Sequence, residues 1–284
     1  MATNYPFSQF SSEDIAQTQP ALKIGLLATL TEEGKPHISL LSSLMACGER
    51  QLCFGQFTEG LSKKYVRMNP RCGFLIMGLD KNLWRGKAVY THSARDGAEY
   101  DYYNNVPMFR YNAYFGVHTV HYLDLVGQSG KQPLPMNRII FAAVLTMFAR
   151  GLGRKSGESQ AINEWTRDLL NKLDNLKFIA YVDEDGFPTL IPVIQLQCLD
   201  GGHLVFSSGA YGEELAGIPD GAELAVFGMS LTMEDVLLRG RYAGLKRVGG
   251  VKAGVLEVDW VYNSMPPVPG QIYPPQELGA VMEF

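Results

Sequence analysis

The chain repeats itself, and the repeat limits its possible folds more than any other feature. Shifted by 152 positions, residues 26–37 (Leu-Leu-Ala-Thr-Leu-Thr-Glu-Glu-Gly-Lys-Pro-His) lie over residues 178–189 (Phe-Ile-Ala-Tyr-Val-Asp-Glu-Asp-Gly-Phe-Pro-Thr). Identities at this one offset are Ala28/Ala180, Glu32/Glu184, Gly34/Gly186, Pro36/Pro188, Leu44/Leu196, Leu52/Leu204, Phe54/Phe206 and Gly60/Gly212. Further on, at offset 154, Leu83-Trp-Arg-Gly-Lys87 lies over Leu237-Leu-Arg-Gly-Arg241. Order and spacing are both kept, and a two-residue insertion is what a surface loop accommodates. An internal duplication is therefore expected.

Each copy reads as short strands separated by turns. In the first, strand-like runs cover 24–30, 37–44, 51–54, 72–77, 83–91 and the alternating 118–125, with Gly34 placed to take a positive φ in the first turn. The second repeats the order at 178–182, 189–199, 204–207, 222–227, 236–242 and 254–261. Many short strands with regular turn signals predict a β-barrel or sandwich. Between the copies the period changes. Residues 137–149 have helix-forming composition without Gly or Pro, and 164–175 place Trp165, Leu169, Leu170 and Leu173 on one helical side. Ser12 before Glu13 suggests a short N-terminal helix, and Pro266, Pro267, Pro269, Pro274 and Pro275 predict an extended tail.

Composition removes several classes of function. A net charge of −4 over 284 residues, without a cluster of Lys and Arg, argues against nucleic-acid binding. No apolar run reaches the roughly 18–20 residues that span a bilayer, and the first 19 residues carry neither a basic nor an apolar leader segment, so a cytoplasmic protein is expected. Cys47, Cys53, Cys72 and Cys198 lack C-x-x-C spacing and read as reduced, mostly buried thiols.

The chemistry concentrates in residues 58–70. Thr58 and Ser62 hydroxyls, with Lys63, Lys64 and Arg67, fall where a strand ends and a helix begins, a combination suited to holding a phosphate. In the second copy the stretch 61–64 (Leu-Ser-Lys-Lys) becomes Glu213-Glu214-Leu215-Ala216. A charge that only the fold required would recur there; its absence points to function.

Three motifs in this order carry a resemblance. Ala28-Thr29 with Gly34-Lys35-Pro36-His37, then Ser62-Lys63-Lys64 with Asn69-Pro70, then Trp84-Arg85-Gly86-Lys87-Ala88, together resemble the pyridoxamine 5′-phosphate oxidase-like FMN-binding split β-barrels. The resemblance covers about residues 12–127 well and 173–262 more weakly. It implies that Ser62 and Lys64 hold the flavin phosphate, that Ser39 and Leu41 on the strand after the Gly-x-Pro turn line the cofactor, and that Trp84 and Arg85 flank the ring. Lys63, Gln56 and Thr58 are the implied neighbours. Ser39 stands where true oxidases carry Arg, the loop 54–62 is about two residues longer, and a C-terminal Arg-x-Leu-x-Pro-type segment is not found. Vitamin B6 oxidation is therefore not expected. Some members of this fold bind a deazaflavin or haem, which leaves the cofactor open.

Competing signals are weaker. His118 and His121 resemble H-x-x-H, but residues three apart on a strand point to opposite faces, so no metal site is expected. Residues 151–157 (Gly-Leu-Gly-Arg-Lys-Ser-Gly) lack the contiguous Gly-Lys-Ser of a P-loop and follow a helix, so they read as a basic connector. Tyrosines crowd 100–114, as a packing or dimer surface or, with Arg110, as a pocket wall over the cofactor.

The sequence thus predicts a mainly β (α+β) protein of tandem split β-barrels joined by a helical segment: an FMN-binding domain over 1–132, a helical connector over 133–172 and a degenerate second domain with a Pro-rich tail over 173–284. The expected function is that of an FMN flavoprotein, an oxidoreductase acting on a small-molecule substrate or electron donor. The alternative is a non-catalytic carrier or sensor of flavin, deazaflavin or haem. A homodimer paired through the first copy is expected, the alternative being a pseudo-dimer of the two copies inside one chain, with no nucleic acid, membrane or metal partner and no assigned catalytic residue.

Overall fold

The computed structural model describes residues 5–57, 60–107, 116–153, 160–264 and 270–276. With 45% strand and 22% helix, the protein is mainly β. The first sheet comprises β1 (Lys23–Leu30), β2 (Pro36–Leu40), β3 (Met45–Gly48), β4 (Gln51–Gln56), β5 (Arg71–Gly78), β6 (Asn82–Ala94), β7 (Thr119–Gln128) and β8 (Gln132–Pro133). Its order is β2-β1-β5-β6-β7-β4-β3, all antiparallel, with β8 beside β6. The second holds β9 (Leu176–Val182), β10 (Pro188–Pro192), β11 (Gln197–Cys198), β12 (His203–Ser207), β13 (Glu223–Met229), β14 (Asp235–Val248), β15 (Val251–Asn263) and β16 (Gly270–Tyr273). Its order, β10-β9-β13-β14-β15-β12-β11, is the first repeated, except that the last strand pairs with β15. This is the tandem split-barrel arrangement that the sequence predicts.

The matched residues have matching physical jobs. Leu44, Leu52 and Phe54 lie in the first core; Leu196, Leu204 and Phe206 lie in the second. Gly34 and Gly186 both close their turns at positive φ, +75° and +76°, where a side chain is strained. The glycine of each Arg-Gly pair is fixed by crowding: a Cβ on Gly86 would come 2.2 Å from the Gly127 carbonyl oxygen, and one on Gly240 would come 1.9 Å from that of Glu257.

Among the described residues six helices accompany the sheets: α1 (Ser12–Thr18), α2 (Leu61–Met68), α3 (Ala98–Asn105), α4 (Met136–Leu152), α5 (Glu164–Asn171) and α6 (Gly212–Ala216). α1 is capped by Ser11, one residue before the expected start, in a reciprocal box with Asp14. α5 ends at Asn171, short of the expected 175, so Leu173 is exposed while Leu169 and Leu170 are buried. α1 packs on β3 and β5, α5 on β11 and β13, and α4 on β11, β12, β14 and β15.

The runs read as single strands at 37–44 and 189–199 each break at a tight turn. Leu44 N–H donates to Leu41 O at 2.9 Å, and Leu196 N–H to Val193 O at 2.9 Å. These turns contain no Gly or Pro, and their apolar members are buried, so they carry no turn signature. Of the Pro-rich tail, 270–273 form β16 against β15; 265–269 and 277–284 lie outside the described residues.

Grouped by packing, Thr3–Leu134 together with Asp183–Leu190 form one compact unit, and Pro135–Val182 with Ile191–Phe284 build the other. Among the described residues no helix is long and apolar enough to cross a membrane.

Candidate cofactor site

The site expected around α2 is set by which of its residues turn inward. α2 presents Ser62, Lys63 and Val66 to the interior, and Val66 enters the first core. Lys64 and Arg67 face solvent. Of the two lysines, Lys63 is therefore the one held in the fold, at 8% exposed. Its amide donates to Gly60 O at 3.1 Å, and its ammonium folds back so that a Cβ on Gly60 would lie 3.4 Å from Nζ. A buried cation thus sits against the positive end of a helix, where a bound anion is favoured by both. Thr58 lies outside the described residues.

α2 packs on β1 and β2, and the His37 ring meets Tyr65 edge-on at 5.1 Å. β2 therefore places Ser39 and Leu41 in the neighbourhood of the helix. Ser39 is half-buried opposite Leu27. Leu41 is buried, with its N–H on Gly25 O at 2.7 Å. That close crossing requires glycine, since a Cβ on residue 25 would come 2.3 Å from the Leu41 oxygen. By strand alternation Ser39 also bonds inward to β1, leaving the main-chain groups of Ile38 and Leu40 on the outer edge of this terminal strand.

Gln56 ends β4 and is buried; its Oε1 lies 2.7 Å from His121 Nε2. The His121 ring stacks on Phe54 at 4.9 Å, whereas His118 Nδ1 lies 2.9 Å from Thr119 Oγ1. The two histidines do not converge. No group of residues able to hold a metal occurs among those described.

Trp84 and Arg85 are neighbours on β6 and so point to opposite faces. Trp84 lies in the core, 1% exposed, and its indole N–H donates to Asp14 Oδ1 at 2.7 Å. Burial alone would raise the Asp14 carboxyl, but the bonds from Trp84 and Ser11 outweigh it and hold the group below its ordinary range. Trp84 also borders a cavity of about 390 Å³ with Ala16, Gln17, Pro20, Lys23 and Leu79. Burial lowers Lys23 to about 8 there, its amine donating to Pro20 O at 2.7 Å.

Arg85 occupies the other face. Its N–H donates to Ser129 Oγ at 3.1 Å and its Nη1 to Leu190 O at 3.0 Å. Ser39 pairs with Leu27, Leu27 with Phe74 and Phe74 with Gly86, so the Ser39 side chain lies on the Trp84 face and the structure does not bring it together with Arg85.

Sequence reasoning passed over Lys87, two positions along β6 and hence on the Arg85 face. Its ammonium pairs with Asp183 at 2.6 Å and Asp185 at 2.9 Å within the same compact unit. Burial pulls Lys87 down, but the two carboxylates outweigh it and raise the amine above its ordinary value. The signal was present: Lys87 belongs to the repeated Leu-x-Arg-Gly-Lys/Arg motif. The tyrosine-rich stretch divides, with 100–105 in α3 and 108–115, including Arg110, outside the described residues.

No family model and no curated protein matches this chain. Among solved structures it is similar to HupZ of Group A Streptococcus (13% identity, TM-score 0.34, 42% of this chain and 91% of that one). It is also similar to an FMN-binding protein of Syntrophomonas wolfei (12%, 0.35, 43% and 84%) and to a FAD-binding protein of Mesorhizobium loti (15%, 0.31, 42% and 91%). Each of these matches covers 42% or 43% of this chain.

Proposed function

We propose that the first barrel binds a flavin nucleotide, FMN, with its phosphate at the start of α2, and that the protein is a flavin-dependent oxidoreductase of a small molecule. The observation that carries this reading is the asymmetry between the copies. α2 begins with a buried Ser62 and Lys63, whereas α6 begins with Glu213 and Glu214, which repel an anion. The residues present fit a phosphate: a buried ammonium, a buried hydroxyl and helix N-terminal amides. Bound flavin would supply the hydride or electron transfer.

The chain's own part is to hold and orient. Lys63 neutralises the phosphate, Ser62 offers a hydroxyl, and Lys64 adds attraction from the rim. Ser39 and the edge of β2 border the ligand beside α2, whereas Arg85, on the opposite face of the sheet from Ser39, is not assigned to this contact. No residue is assigned a proton-transfer role.

The test is the absorption spectrum of the purified protein, then titration of the stripped protein with FMN. The reading requires flavin bands, or saturable FMN binding that Lys63→Ala weakens about tenfold or more, as expected for loss of a charge-assisted bond. A colourless protein indifferent to FMN would sink it. A Soret band would replace flavin by haem, and a single deazaflavin band would replace FMN by that relative. Bleaching by a nicotinamide reductant, with reoxidation by an acceptor, would separate an enzyme from a carrier.

A further inference from the structure

α4 buries one side and leaves the opposite side apolar and open. Ile139, Ala142, Thr146 and Ala149 face the second sheet. Thr146 Oγ accepts from Ser207 N–H at 2.9 Å, and Ser207 Oγ donates to Ala142 O at 2.8 Å, so the seating is specific. On the outer side Ile140, Phe141, Val144, Met147, Phe148 and Leu152 are between 40% and 70% exposed. Together they show roughly 600 Å² of largely apolar surface, at the upper end of what a monomer normally exposes. Other exposed large apolar residues, such as Leu79 and Leu231, do not form such a stripe along one helix.

The order of this stripe identifies its occupant. Around Val144 the pattern reads alike in both directions: Ile140 and Phe141 lie four and three residues before it, Met147 and Phe148 three and four after. A second, antiparallel α4 crossing at Val144 sets each apolar pair opposite the other end's pair, which is the self-complementarity a two-fold contact demands. No charged residue occurs from Ile139 to Ala149. Arg138 and Arg150 bracket the run six residues either side of Val144, off the centre of the stripe. Covering both copies removes about 1,200 Å², the lower limit for a stable interface before flanking residues add to it.

We infer that the outer face of α4 is a homodimer interface, with the two-fold axis passing at Val144. This face belongs to the helical segment between the copies, not to the first barrel. The inference stands apart from the flavin reading.

Sedimentation equilibrium of the full chain over micromolar concentrations tests it. Wild type is expected at twice the chain mass, and Val144→Glu and Phe148→Glu at the mass of one chain with unchanged circular dichroism. Because residue 144 meets its own copy, Val144→Glu mixed with Val144→Lys should restore the double mass that each lacks alone. A wild-type monomer overturns the inference, as does a dimer indifferent to Val144→Glu. So does a monomer that pellets with phosphatidylcholine–phosphatidylglycerol vesicles, which would make the face a membrane contact.

Discussion

Lys63 and Lys64 are adjacent in sequence and placed in opposite surroundings. Lys63 lies folded against Gly60 at the helix start, while Lys64 projects into solvent. A screened surface charge contributes little to binding, and a held one contributes much. Lys64→Ala should therefore weaken FMN binding less than about threefold and lose even that difference at high salt; calorimetric titration at two salt concentrations checks this. Lys177 makes a different point. It is fully buried, donates to Lys172 O at 2.7 Å, and burial lowers it to about 8. Keeping it charged in the fold costs about 3 kcal/mol against an exposed lysine. Lys177→Met should raise stability at neutral pH by about 1–3 kcal/mol, read from the urea midpoint.

Elements were legible wherever hydrophobic period and turn chemistry agreed. β1, β5 and β6 and their counterparts were found because Gly34, Gly186 and the Arg-Gly pairs mark backbone that only glycine tolerates. The breaks at 41–44 and 193–196 escaped because buried apolar residues carry those turns, and what holds them is a long-range crossing of chain at Gly25 and Lys177. The equivalence of α1 and α5, at the same offset of 152, was also invisible: their sequences differ, and only the caps Ser11 and Asn163 do the same work. Within the site, the inward turn of Lys63 over Lys64 depends on which helical face Val66 anchors in the core, a tertiary fact. Two element-scale outcomes follow. Gly25→Ala forces a methyl into the Leu41 carbonyl and should cost about 2–4 kcal/mol by chemical denaturation. Thr146→Val leaves the buried Ser207 N–H without its acceptor and should cost about 1–3 kcal/mol, whereas Thr146→Ser should cost less.

At the scale of the whole molecule, buried lysines give stability a pH dependence of definite sign. Lys23 and Lys177 are both lowered to about 8 in the fold. Between about pH 8 and 10.5 the unfolded chain therefore binds more protons than the folded one, and stability rises with pH across that window. Lys87 runs the other way. Its folded value is raised, so its contribution is fully present below the unfolded lysine value and lost only as pH climbs through the folded one. On the acid side Asp185 is lowered by Lys87, so its contribution holds above the ordinary carboxylate value and fades as pH falls through the folded one. Asp183, with its side chain 2% exposed, also accepts from Thr189 and from the amides of Asp185 and Phe187. Removing the ammonium would leave that carboxylate buried without its cation. Lys87→Met should cost about 3 kcal/mol at neutral pH and, by lowering stability throughout, bring acid unfolding in at a higher pH. Denaturation near pH 5, 7 and 9 separates the two effects. Lys177→Met should flatten the alkaline rise and leave the acid limb alone, and Lys87→Met should flatten the acid limb, because Asp185 loses the cation that lowers it, and leave the rise intact. If both variants moved the same limb, the opposite signs assigned to these lysines would be wrong.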